Sequence, residues 1–237
     1  MYAVTDERIS EACLVRLKSE GVSPILMPPA AYLQPAVASH TDMLFFLGFD
    51  RLFCHRCYYE RNAELIDKLC RISGNTLMLS NEPTGEKYPL DVLFNACLVG
   101  KRLICNEKTV SNLILASAKE AGFEIINVPQ GYTKCSVTVI SDNAIITADK
   151  SIARACASVG IDVMLISEGY ISLPPYEFGF IGGTSGGFGD KIYFCGSLSS
   201  HPDGDRISEF CAKHKKTAVS LSSGELQDVG SIYFLEA

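Results

Sequence analysis

Three short stretches of this 237-residue chain carry the residue types of covalent catalysis. His40 and Asp42 stand two apart in Ser39-His40-Thr41-Asp42-Met43, Asp91 and Asn95 lie in Leu90-Asp91-Val92-Leu93-Phe94-Asn95, and Cys135 lies in Thr133-Lys134-Cys135-Ser136. A thiolate is a nucleophile, an imidazole shuttles protons at neutral pH, and carboxylates hold a cation. Read as strands, residues two apart share a face, which aims His40 and Asp42 the same way and turns the Lys134 ammonium away from Cys135. A free thiol has a pKa of about 8.5, so Cys135 needs positive charge from His40 or from a substrate. Polar residues at strand ends are common for capping reasons alone. Their matched placement in three successive segments favours a shared site.

Those residues need elements that bring them together. An apolar stretch, a tight turn and a second apolar stretch recur about every 45 residues, with turn residues Gly48, Gly100, Asp142, Gly189 and Gly230. Each reads as a β-hairpin. Helical periodicity follows the first four over 60–71, 109–121, 150–159 and 204–214, and a short apolar strand follows each helix. The unit is ββαβ. The fifth hairpin has no helix after it, whereas the chain starts with a helical segment that has Thr5 as N-cap and Gly21 as stop, then Pro24-Ile25-Leu26-Met27. The N-terminus therefore completes the last unit. The expected fold is α/β: one domain over residues 1–237, a pseudo-symmetric five-bladed propeller closed by the N-terminal helix and strand. Blades about an axis bring the ends of their hairpins, and so His40, Asp91 and Cys135, to one place.

With that architecture, His40-Thr41-Asp42-Met43-Leu44-Phe45 resembles the His-x-Asp strand of the pentein-fold guanidino-group-modifying enzymes, among them arginine deiminase, dimethylarginine dimethylaminohydrolase and amidinotransferase. Leu90-Asp91-Val92-Leu93-Phe94-Asn95-Ala96 is similar to the following blade of the dimethylaminohydrolases, and Thr133-Lys134-Cys135-Ser136-Val137 to the family's nucleophile strand. Gly169-Tyr170-Ile171-Ser172-Leu173-Pro174 and Gly179-Phe180-Ile181-Gly182-Gly183 resemble a further branch of the fold. The resemblance spans essentially the whole chain. It implies Cys135 as a nucleophile that forms a thiouronium adduct, His40 as acid and base, and Asp42, Asp91, Asn95 and Asp228 as binding residues for a small cationic guanidine or amidine. It implies a hydrolase or an amidinotransferase with neither cofactor nor metal. In the usual enzymes two blades precede the histidine blade and the cysteine blade comes last, whereas here His40 is in the first blade and two blades follow Cys135. That order resembles a circular permutation, which a closed ring tolerates. Where the family carries Gly-Gly-Asp this chain has Gly182-Gly183-Thr184, and Asp228, or else Glu225, is the acid that replaces it. The alternative is a non-catalytic binding module resembling the ribosome anti-association factor, since a fold does not dictate a function.

Composition sets outer bounds on both readings. With 21 basic and 27 acidic residues and a net charge of −6, the chain lacks the basic footprint of a nucleic-acid binder. It has no long apolar run or signal-like start, so no membrane association is expected and the default compartment is the cytoplasm. The ten cysteines are scattered as in a reduced core rather than clustered as in a disulfide scaffold. Cys54-His55-Arg56-Cys57 has metal-site spacing but no second pair to complete a tetrahedron. The glycines of Gly182–Gly189 lack the order of a phosphate loop and read as a flexible loop over the site. His201, beside a helix start, is a further candidate. Loops 28–39 and 174–190 are placed to contact the rest of a ligand.

Overall fold

The computed structural model describes residues 1–236. The chain opens with strand β1 (Tyr2–Asp6), helix α1 (Glu11–Ser19) and strand β2 (Ser23–Met27). A one-turn helix α2 (Thr41–Leu44) leads into β3 (Phe45–Gly48), β4 (Arg51–His55), α3 (Arg56–Ser73) and β5 (Thr76–Ser80). The next unit is β6 (Cys97–Val99), β7 (Arg102–Cys105), α4 (Asn112–Glu120) and β8 (Glu124–Asn127). A second one-turn helix, α5 (Thr133–Ser136), leads into β9 (Val137–Ser141), β10 (Ala144–Thr147), α6 (Lys150–Ser158) and β11 (Asp162–Leu165). A 3₁₀ turn (Gly182–Thr184) precedes β12 (Ser185–Phe188), β13 (Lys191–Phe194), α7 (Gly204–Lys213) and β14 (Thr217–Ser220), and the described chain ends with β15 (Tyr233–Leu235).

These strands form five three-stranded sheets, the ββαβ periodicity made visible. In each sheet the middle strand pairs antiparallel with the first strand and parallel with the third, as β4 does with β3 (Phe46↔Phe53) and with β5 (Phe53↔Met78). The helices start where the sequence offers caps: Ser10, Ser111 and Asp149 each accept a backbone N–H of the following first turn. Gly74, with φ of 70°, ends α3 in the left-handed region.

The first strands also meet one another from sheet to sheet. Phe46 of β3 shares a core with Leu98 of β6, and Cys97 and Val99 of β6 pack with Val137 of β9. Thr138 of β9 lies 2.8 Å from the Ser185 hydroxyl of β12, and the ring centroids of Phe45 in β3 and Tyr233 in β15 are 5.2 Å apart. Gly186 of β12 has no side chain because the Ile232 carbonyl next to β15 occupies that space.

Three local expectations need correction. Thr5 is not a helix cap; it lies within β1, and Ser10 caps the helix. Ala3, Val4, Thr5 and Asp6 are all buried because β1 is the middle strand, bonded to β15 on one side and β2 on the other. Gly230 is not a hairpin turn either. The antiparallel pair of the last sheet joins the two ends of the chain, Tyr2 facing Leu235, so no turn connects it. Finally, Gly182–Gly189 is no loop over the site: it holds the 3₁₀ turn and β12. A side chain at Gly182 would collide with the carbonyls of Lys134, Cys135 and Val137.

Candidate active site

The residues that open each unit do not lie in strands. Ahead of β3 and β9 the chain makes one helical turn, so the residues that share a face are three apart rather than two. Counting back from the first residue of the first strand, positions five and two residues earlier are His40 and Met43 before Phe45, Tyr132 and Cys135 before Val137, and Phe180 and Gly183 before Ser185. Asp228 and Ser231 hold the same places before Tyr233. His40, Met43, Tyr132, Cys135, Phe180 and Asp228 all line one cavity of about 200 Å³, together with Asp91. The pseudo-repeat thus gathers them by geometry.

His40 caps α2 and is buried to 1% exposure. Its imidazole lies between two carboxylates, with Nδ1 3.8 Å from Asp228 Oδ1 and Nε2 3.7 Å from Asp6 Oδ2. Both carboxylates are anchored. Phe180 N–H donates to Asp228 Oδ2 at 2.9 Å and Gly230 N–H to its Oδ1 at 3.0 Å, while Arg8 donates from its backbone and from Nε to Asp6 Oδ1. Burial pushes the Asp228 carboxyl above its ordinary value, opposed by the attraction of His40. Gly230, with φ of 67°, is required by contact, since a β-carbon there would strike His40.

Cys135 sits on α5 with its thiol buried. Asn95, in the turn before β6, holds that helix from outside: its Oδ1 accepts from Lys134 N–H at 2.7 Å and Cys135 N–H at 3.2 Å, and its Nδ2 donates to Cys135 Sγ at 2.9 Å. Asn95 therefore positions the thiol and does not line the cavity. Burial pushes the Cys135 thiol well above its usual value, and the negative charges of Asp42 and Asp228 push it further.

The other expected residues divide clearly. Asp91 lines the cavity; its Oδ2 accepts from Tyr132 OH at 2.6 Å, its buried Oδ1 has no partner, and burial pushes its carboxyl up. Asp42 does not share the face of His40. It is fully buried beside the cavity, where Ser231 Oγ donates to its Oδ2 at 2.7 Å and Lys134 Nζ in turn donates to Ser231 Oγ at 2.9 Å. Thr184 donates its hydroxyl to the Ile181 carbonyl at 2.8 Å, and Glu225 is exposed. His201 lies elsewhere: its Nδ1 accepts from Asp203 N–H at 3.0 Å and its Nε2 lies 3.2 Å from the Ser167 carbonyl. Loops 28–39 and 174–190 reach the cavity through Val37, Tyr176, Phe178 and Phe180. Sequence reasoning missed Asp6. Its signal is an acid at the inner end of an otherwise apolar strand, followed two residues on by Arg8.

A larger cavity of about 460 Å³ is lined by His55, Cys57, Arg61 and Glu82. His55 there is occupied by Cys57 N–H and the Glu82 carbonyl, and the Glu82 carboxylate by Ser80, Ser111 and Asn112, whereas the buried Tyr32 hydroxyl has no partner. Among the described residues no three His, Cys, Asp or Glu side chains are grouped to hold a metal ion, and no helix is long and apolar enough to cross a membrane.

The model of a family of unknown function, DUF6873, matches residues 4–233. No curated protein matches the chain in sequence. Among solved structures, dimethylarginine dimethylaminohydrolase from Pseudomonas aeruginosa, as a cysteine-to-serine mutant complexed with citrulline, is similar at TM-score 0.59 and 10% identity over 94% of this chain and 92% of that one. Agmatine deiminase from C. jejuni aligns at TM-score 0.55 and 9% identity over 97% and 94%. An amidinotransferase of the saxitoxin pathway from Microseira wollei aligns at 0.54 and 11% over 94% and 80%. At such low identity the likeness is one of fold, and the fold is that of the guanidino-group-modifying enzymes.

Proposed function

The chain belongs to the DUF6873 family and has the pentein fold, and on that premise we propose that it is a cysteine-dependent hydrolase or transferase of a small guanidine or amidine. The observation that carries this reading is the convergence of a thiol, an imidazole and two carboxylates, Cys135, His40, Asp91 and Asp228, on one cavity with no lysine or arginine in its lining. We take the sheet-to-sheet contacts as closure of a single five-bladed ring formed by the described residues. The ten free cysteines suit a reducing, cytoplasmic setting.

By themselves the carboxylates of Asp42 and Asp228 oppose ionisation of Cys135. A bound guanidinium offsets their charge and lowers the cost of the thiolate, so the substrate activates its own nucleophile. The thiol gives its proton to His40, and the thiolate Sγ then attacks the amidine carbon and forms a C–S bond while the C=N electron pair moves onto nitrogen. His40, oriented between Asp6 and Asp228, protonates the departing amine as its C–N bond breaks, leaving the thiouronium adduct. The neutral imidazole next takes a proton from water or an acceptor amine, whose oxygen or nitrogen adds to the same carbon, and collapse returns Cys135 as thiolate. Asn95 holds the sulfur in place.

Thr184 in place of the family acid, with the thiol held protonated, favours one second reading, a non-catalytic cation-binding module. Alkylation separates the two. Neutral iodoacetamide should label exposed Cys57 first. A haloacetamidine, whose amidine mimics a guanidinium, should reverse that order and label Cys135, and His40→Ala should slow this labelling by about 10²-fold or more. Peptide mapping reads both outcomes. Labelling of Cys57 ahead of Cys135 by both reagents would give the binding module precedence.

A further inference from the structure

The charges around the cavity are one-sided. Asp91 and Asp228 are 5% and 6% exposed, and Asp91 Oδ1 is a buried acceptor with no partner. Apart from His40, Cys135 and Tyr132, the remaining wall is apolar or aromatic, with Val37, Met43, Leu173, Tyr176, Phe178 and Phe180. Three cationic groups border the cavity and each already faces a partner; the His40 imidazole lies between Asp6 and Asp228. Lys134 turns its ammonium to Ser231 Oγ and the face of Tyr233. Arg8 lines an adjoining cavity that shares Leu173 and Asp228, but its Nε and one terminal nitrogen bind Asp6 and the other donates to the Pro35 carbonyl at 3.1 Å.

A ligand carboxylate here would lose its hydration, find the nearby cations already facing other partners, and face two carboxylates of its own sign. A guanidinium or amidinium gains the opposite: a charge-assisted hydrogen bond to Asp91 Oδ1, an acceptor that lacks a donor, and attraction to the Asp228 carboxylate. The apolar wall adds a place for a compact hydrocarbon or aromatic group, and its volume of about 200 Å³ lies below that of pockets for drug-sized ligands. We infer that the site takes small guanidinium or amidinium compounds with a compact apolar or aromatic substituent and no carboxylate, and that it rejects the free amino acid arginine. This inference rests on the reading of the cavity as a cation site.

Calorimetric titration of the full chain at neutral pH with benzylguanidine, L-arginine and guanidinium itself tests it. Benzylguanidine should bind at least about tenfold tighter than either of the others. Asp91→Asn should weaken benzylguanidine by about tenfold, and Phe178→Ala should weaken benzylguanidine while leaving guanidinium unchanged. Arginine binding as tightly as benzylguanidine, guanidinium doing so, or no binding by any of the three would each overturn the inference. Benzylguanidine bound as expected without selective alkylation of Cys135 would instead remove the catalytic reading and leave the ligand class standing.

Discussion

Gly183 is small because Asp228 needs its space. A β-carbon there would strike the Asp228 carboxylate, which lines the cavity beside His40. Gly183→Ala and Asp228→Asn should therefore act alike, each lowering the preference of Cys135 for a cationic haloacetamidine over neutral iodoacetamide by about 1.5–3 kcal/mol in the ratio of rates. An unchanged ratio in both variants would mean that Asp228 holds no cation. Asp91 makes a prediction of opposite sign for stability. Burial raises its carboxyl in the folded state, so at neutral pH its charge costs the fold stability. Asn would keep an acceptor for Tyr132 OH, so Asp91→Asn should raise the melting temperature at neutral pH. That gain should vanish as pH falls below the ordinary aspartate value of about 3.9, where both states are protonated in the parent. A variant that melts lower than the parent at neutral pH would refute this.

At the scale of elements the instructive strand is β1. As the middle strand of its sheet it bonds β15 and β2 at once, and it places Asp6 against His40. The helix that follows buries Cys13 and Leu17 in the core shared with Tyr193 and Cys195 of the fourth unit. Deleting residues 1–22 removes a middle strand and its covering helix, so the truncated chain should show no cooperative melting transition. A cooperative melt near the parent temperature would show that β15 and β2 need no strand between them. The one-turn helices carry the other lesson of this scale. They convert a spacing of two into a spacing of three, which puts Met43 rather than Asp42 on the face of His40.

For the whole molecule the buried thiols set a limit on the alkaline side. Burial pushes Cys54, Cys97 and Cys105 up to about 12 and Cys156 and Cys211 to about 11. Each keeps its proton in the fold at a pH where the unfolded chain, with thiols near 8.5, has released it. Their contribution is intact below about pH 8.5 and is lost as pH rises from there through the folded values. The denaturation midpoint in urea should accordingly fall steadily from about pH 8.5 to 11; a midpoint that is flat over this interval would mean that the thiols titrate alike in both states. The pairing of Tyr2 with Leu235 also brings the two chain ends together, the condition under which a repeat order such as this one can be permuted without changing which sheets are neighbours.

The repeat and the helices of its four complete units were legible in the sequence, the bounds of α6 and α7 nearly to the residue, because a period near 45 residues and apolar patterning are local properties that survive folding unchanged, whereas β1 and the two one-turn helices were not. His40, Asp91 and Cys135 were legible as candidates, being polar groups opening successive apolar units, and Asp228 through the resemblance to the guanidino-modifying family. Their division of labour was not. Whether Asp42 faces the cavity or Ser231 depends on a single helical turn, a local choice that the following strand's apolar pattern does not reveal. Asp6 reaches His40 only because the first and last strands share a sheet, a contact between residues 34 apart that no local pattern encodes. Asn95 likewise holds Cys135 across 40 positions, and its role exists only once two units pack side by side. Local sequence determined the repeating units, and the packing of one sheet against the next decided which side chains meet in the cavity, because burial and partnership are properties of the folded whole.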